Sequence, residues 1–106
     1  MILYNVTVNI DASEHQNWLK WMREEHIPEV MNTGCFIESR LSRIQGEEEG
    51  GVTFSIMYVS PSQELYDSYL QEHAQKLQSE HSLRFNGKFA AFRTVLNVIE
   101  EFKNVR

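Results

Sequence analysis

Between Ile2 and Ile10 every second residue is large and apolar. Ile2, Tyr4, Val6, Val8 and Ile10 alternate with Leu3, Asn5, Thr7 and Asn9. A repeat of two is the signature of a β-strand with one buried face, and no helix can satisfy it. Asp11-Ala12 interrupts the pattern, and the repeat then becomes helical, with Trp18, Leu19, Met22, His26 and Val30 on one stripe. Ser13, with Gln16 three residues later, fits a capping box at the start of this helix. Pro28 lies inside the run. It lacks a donor and clashes with the turn before it, which predicts a kink or division near Glu25-His26. Asn32-Thr33-Gly34 supplies the stop.

A second strand is expected over residues 35–44 and a third over 52–59, joined by a Glu- and Gly-rich hairpin connection at 45–51. The run Glu47-Glu48-Glu49 reads as a solvated loop, because calcium needs ligands at spacings it lacks. Ser60-Pro61-Ser62-Gln63 opens a second helix, with Ser60 as N-cap, Pro61 at the first helical position and Gln63 closing the box. One long helix follows, its stripe made of Leu65, Tyr69, Leu70, His73, Leu77 and His81, and Asn86-Gly87 ends it. The last strand is expected from 89 to about 102, with 100–106 fraying into a polar tail.

The order β-α-β-β-α-β predicts two interleaved halves: a ferredoxin-like α+β fold with a four-stranded antiparallel sheet. Right-handed crossovers put both helices on one face of it. The 106 residues have room for a single domain spanning 1–106. The third and fourth strands are apolar on both sides. Val52, Phe54, Ile56 and Tyr58 are opposed by Met57 and Val59, and Phe89, Val95 and Ile99 by Phe92, Leu96 and Val98. A sheet with one wet face alternates more cleanly. Each large apolar side chain left in water forgoes ~1.5–3 kcal/mol of burial. A second copy packed sheet to sheet is the simplest cover, so a homodimer, a dimeric α+β barrel, is expected.

The rest of the composition narrows the partners. Formal net charge is −5 and Lys and Arg form no run, which argues against nucleic acid and against an anionic membrane. No segment reaches the ~20 apolar residues of a membrane span, and the N-terminal residues lack a basic, apolar leader. Cys35 is the single cysteine, so neither an intrachain disulfide nor a cysteine metal cluster is expected, and the cytoplasm is the default location.

Several blocks together resemble a known family. They are Tyr4-Asn5-Val6-Thr7-Val8-Asn9, Trp18-Leu19-Lys20-Trp21-Met22, Glu25-His26-Ile27-Pro28, Thr33-Gly34-Cys35-Phe36, and Phe89 with Phe92-Arg93-Thr94. The chain resembles the bacterial DUF4286 type, common in Bacteroidetes, over nearly its whole length. The resemblance implies the dimeric α+β barrel superfamily, which includes antibiotic-biosynthesis monooxygenases, EthD-like proteins and muconolactone isomerases. It brings no catalytic residues.

Chemistry must therefore be sought in the residues themselves. His26 falls on the apolar side of the first helix, and His73 and His81 follow the stripe of the second; His15 reads as exposed. An imidazole near neutral pH is the usual general acid or base, although each of these can equally be a core histidine bonded to backbone. A crevice between helices and sheet lined by Trp18, Met22, His26, Tyr69, His73 and His81 would suit a small apolar ligand. Arg40 and Arg93, charged residues inside strands, would each suit an anionic one, or pair with a carboxylate instead. His73 and His81 are eight residues apart, ~12 Å along a helix, too far to share one ion, and His26 with Glu25 or Glu29 would need a further ligand from elsewhere. No metal and no cofactor is expected. Three functions remain open: a homodimer that binds a small molecule, a cofactor-independent monooxygenase- or isomerase-like enzyme with His26 as base, and an interaction module without a pocket.

Overall fold

A computed structural model describes residues 1–46 and 49–105. The elements run β1 (Ile2–Asp11), α1 (His15–Trp21), a π-helical turn (Met22–His26), α2 (Ile27–Asn32), β2 (Glu38–Arg43), β3 (Gly51–Ser60), α3 (Gln63–Glu72), α4 (Ala74–Arg84) and β4 (Phe89–Asn97). The four strands pair antiparallel in the order β2-β3-β1-β4, the interleaved ferredoxin-like arrangement expected from the element order.

The first strand behaves as its alternation requires. Tyr4 pairs with Tyr58 and Val95, Val8 with Phe54 and Ala91, and Ile10 with Val52 and Phe89, so these rows face the helices. Apart from Val95, which is exposed, they build the core together with Trp18, Met22, Val30, Phe36, Tyr66, Tyr69 and Leu77. Trp18 and Ile10 are wholly buried. Tyr4 sits at the middle of an aromatic group, with ring centroids 5.4 Å from Tyr66, 5.9 Å from Tyr58 and Tyr69, and 6.1 Å from Phe36.

The face away from the helices is divided. Its centre is polar: Asn5 donates to Thr7 Oγ1 at 3.1 Å, and Ser55 Oγ donates to Asn5 Oδ1. Thr94 lies opposite Asn5 in the same patch. Towards β4 the face becomes apolar, where Phe92 is 65% and Leu96 43% exposed.

The helical layer divides at Pro28 as expected and departs from expectation in three other places. Ser13 caps nothing: its backbone N–H and hydroxyl both go to Asp11 Oδ1, at 3.0 and 2.9 Å, and Glu14 takes the cap position without a side-chain bond. Pro28 divides the first helix, and the division is a π turn. Ile27 N–H reaches back five residues to the Met22 carbonyl, which widens the ladder just where proline could not have donated. At the second helix the N-cap is Ser62, whose Oγ accepts from Leu65 N–H at 3.2 Å. Ser60 is fully buried instead and donates to the Cys35 carbonyl at 2.9 Å, tying the end of β3 to the segment before β2. The expected single long helix is two, α3 and α4, broken at His73 with φ −128°. Leu70 is 45% exposed, so the stripe does not run unbroken.

Two strands are shorter than expected. Residues 35–37 approach β3 as irregular backbone, with Ile37 N–H donating to the Val59 carbonyl at 2.8 Å, before β2 begins at Glu38. The last strand stops at Asn97, so Ile99 and Phe102, at 96% and 84% exposure, are outside the sheet. Glu47 and Glu48 of the acidic hairpin connection, and Arg106 of the tail, lie outside the described residues.

Replacing Ile10 by Ala should lower the unfolding free energy by roughly 2–5 kcal/mol, since the wholly buried side chain leaves a void under two strand pairs. Ile37→Ala, at a position 61% exposed, should change it by no more than about 0.5 kcal/mol. Urea unfolding of both variants checks the pair.

Candidate functional site

Between the helical layer and β1–β3–β4 lies a cavity of about 40 Å³. That is room for a few water molecules or the head of a small ligand. Its wall combines an apolar floor of Val6, Val8, Ile56 and Ala91 with polar groups from every side: Tyr4 and Tyr58 from the sheet, His26 from the π turn, Tyr69 from α3, Gln78 and His81 from α4, and Arg93 from β4.

The two histidines come from helices distant in sequence and meet here, with ring centroids 5.8 Å apart. His81 is buried and accepts a 2.8 Å hydrogen bond at Nε2 from the Trp18 indole N–H. Phe89 packs edge-on against its ring at 4.4 Å. His26 lies over Trp21, ring centroids 4.9 Å apart and 28° from parallel, and Arg84 stands 5.4 Å from the Trp21 ring. The His26 Nδ1 atom is buried and has no hydrogen-bond partner among the described residues. Such an atom costs about 1–3 kcal/mol unless something pairs with it.

Burial pushes His26 down to about 4, with nearby Glu80 opposing and Arg93 reinforcing the shift. Burial also takes His81 down to about 4, helped by His26 and Arg93. Both rings are therefore neutral at pH 7. The Tyr58 and Tyr69 hydroxyls are pushed up by burial, so they stay protonated and able to donate. Arg93 Nε donates to the Tyr4 hydroxyl at 3.1 Å, and among the described residues no carboxylate pairs with its guanidinium.

Of the residues singled out from sequence, Met22, His26, Tyr69, His81 and Arg93 line the cavity. Trp18 stands behind the wall and reaches it through His81. His73 is elsewhere: it marks the break between α3 and α4, half-buried, with Nε2 3.9 Å from Glu72. Arg40 projects from the opposite face of the sheet, where it pairs in register with Met57 and lies 4.0 Å from Glu38. His15 is half-buried, and its ring meets the Ala12 carbonyl at 2.8 Å. Cys35 is a buried free thiol. Among the described residues no group of three or more His, Cys, Asp or Glu is placed to hold a metal ion.

Sequence reasoning missed Tyr4, Tyr58 and Gln78. The two tyrosines were visible as helix-facing members of alternating strands, but alternation alone does not say which core hydroxyl borders a void. Gln78 lies one turn before His81, a spacing that would have brought it to the same face.

Fold and cavity define an α+β protein of the ferredoxin-like class. Solved structures of this class match nearly all of both chains. A dimeric ferredoxin-like protein from an uncultured marine organism is 18% identical, covers 98% of this chain and 100% of its own, and has a TM-score of 0.70. An EthD-family protein from Bacillus halodurans is 12% identical with a TM-score of 0.63, over 96% and 100% of the two chains. SnoaB, a cofactor-independent oxygenase from Streptomyces nogalater, is 6% identical with a TM-score of 0.69, over 97% and 98%. At these identities the likeness is one of fold. The chain belongs to the family described as a domain of unknown function, DUF4286, which matches residues 1–99. No curated protein matches it. Among the described residues no helix is long and apolar enough to cross a membrane.

The histidine shifts set a pH dependence. The unfolded chain binds protons at these rings near 6.5, whereas the folded chain binds them only near 4. Between these values the unfolded state holds more protons, so stability falls as the pH drops through that window. The urea midpoint should decline from pH 6.5 towards 4, and His26→Gln should remove part of the decline while leaving the midpoint at pH 7 nearly unchanged.

Proposed function

We propose that the chain works as a single-domain cytoplasmic homodimer that binds a small, largely apolar molecule in the cavity between helices and sheet. The observation that carries this reading is the buried His26 Nδ1, whose ring lines the cavity and which has no partner among the described residues. Native proteins rarely leave such an atom unpaired, and a ligand in the cavity would satisfy it. The apolar floor supplies the burial and the polar wall the orientation, the usual division of labour in a small-molecule site.

The dimer is supported from the other side of the sheet. Phe92 and Leu96 stand exposed on the uncovered face beside Leu3, Met57 and Val59. One relative by fold is a dimeric ferredoxin-like protein. Packing two such faces together would cover the apolar flank and leave the polar Asn5-Thr7-Ser55 centre to bond across the joint. A second reading, an enzyme of the monooxygenase or isomerase kind, is favoured by the same nitrogen: a neutral His26 can take a proton, with Arg93 holding the anion that results. A module with no pocket is the weaker reading, because the cavity is there.

Sedimentation at micromolar concentration should find twice the 12.5 kDa chain mass, and Phe92→Asp should return the protein to a single chain. A monomeric parent would end the dimer proposal. A thermal-shift screen of small apolar and anionic compounds should raise the midpoint for some of them through mass action, and His26→Gln should weaken that response. If His26→Gln instead lowers stability at pH 7 by several kcal/mol, the imidazole is structural.

A further inference from the structure

The hydrogen bond between Trp18 and His81 decides more than packing. An indole nitrogen is a donor only. At 2.8 Å from Trp18 Nε1, the His81 Nε2 atom must therefore be the acceptor and carry no proton. A neutral imidazole holds one proton, so it sits on Nδ1. That Nδ1–H has no acceptor among the described residues, and His81 lines the cavity. The neighbouring polar groups have the same sense. The Tyr58 and Tyr69 hydroxyls are unpaired among the described residues, Tyr4 already accepts from Arg93 and so keeps its own O–H to give, and the Arg93 guanidinium has no carboxylate. Among the described residues the cavity wall holds no Asp or Glu, although the Glu80 charge acts on His26. Donors and one cation, the solvent-exposed Arg93, border this space, and Gln78 brings a side-chain amide to it.

We propose that the molecule bound in this cavity carries an anionic oxygen of the carboxylate kind, received by His81 Nδ1–H and the Arg93 guanidinium, and that Trp18 is the positioning residue that fixes His81 in the donating tautomer. This rests on the ligand-binding reading of the cavity and names the chemical class of its occupant. A space of about 40 Å³ suits a carboxylate with a short apolar stem better than a large ring system lying wholly inside. His81 is then a fixed donor, held so by the Trp18 N–H.

The full chain labelled with ¹⁵N-histidine tests the tautomer directly. At pH 7 long-range proton–nitrogen correlations should show His81 protonated on Nδ1 alone, and Trp18→Phe should abolish that single-tautomer pattern. A His81 ring protonated on Nε2 in the parent would overturn the assignment. Because Trp18→Phe removes part of a buried side chain and can impair folding, Arg93→Gln at the half-open wall provides an independent arm.

Propionate and propionamide, equal in heavy atoms and differing in charge, serve as probes in a titration followed by the His81 and Met22 signals. Propionate should bind at least tenfold more tightly than propionamide, and Arg93→Gln should erase that preference. If both probes bind equally and Arg93→Gln changes neither, the anion proposal falls while the cavity remains a ligand site. If neither probe moves any cavity signal, the ligand-binding reading falls as well.

Discussion

The register of β1 between β3 and β4 is the constraint on which the molecule depends. Each helix-facing residue of this strand is matched on both sides, as Tyr4 is by Tyr58 and Val95, and Ile10 by Val52 and Phe89. A slip of one residue would turn that whole set to the opposite face and bring Asn5, Thr7 and Asn9 under the helices. The penalty would be loss of the core and burial of several amides and hydroxyls together. The same register places Tyr4 and Arg93 where they meet over the cavity, so the site inherits its geometry from the pairing of the sheet.

Strand 2–10 was legible because one of its faces is buried along its full length, and burial is what writes a period of two into a sequence. The ends of elements were less legible. Ser60 and Ser62 both have the chemistry of an N-cap. Tertiary contact with the Cys35 carbonyl takes Ser60 out of the competition, and that contact joins residues twenty-five apart. The break at His73 has neither proline nor glycine to announce it. Apolar Val98 and Ile99 continue the pattern of the last strand past Asn97, but β1 begins opposite Asn97 and leaves Ile99 no neighbour to pair with.

The candidate site was legible in its parts and not in its assembly. His26, His81 and Arg93 each stood out alone, as a titratable or charged group on an element expected to be apolar. That the two imidazoles lie 5.8 Å apart, with Arg93 within electrostatic reach of both, depends on how two helices and an edge strand dock, which local spacing does not encode. Arg40 and Arg93 looked equivalent in sequence. Their opposite fates follow from the parity of their strands, which turns one to solvent and the other to the cavity.

The π turn at Met22–His26 leaves this part of the chain without slack. Surface loops absorb insertions and deletions readily, but a wide turn already holds one residue more than a regular helix would. Removing any one residue from it would restore the tighter ladder, press the Pro28 ring on the carbonyl four places earlier, and swing His26 off Trp21 and away from the cavity. Chain length between Trp21 and Pro28 is thus as strict a requirement on this protein as the identity of the side chains it carries.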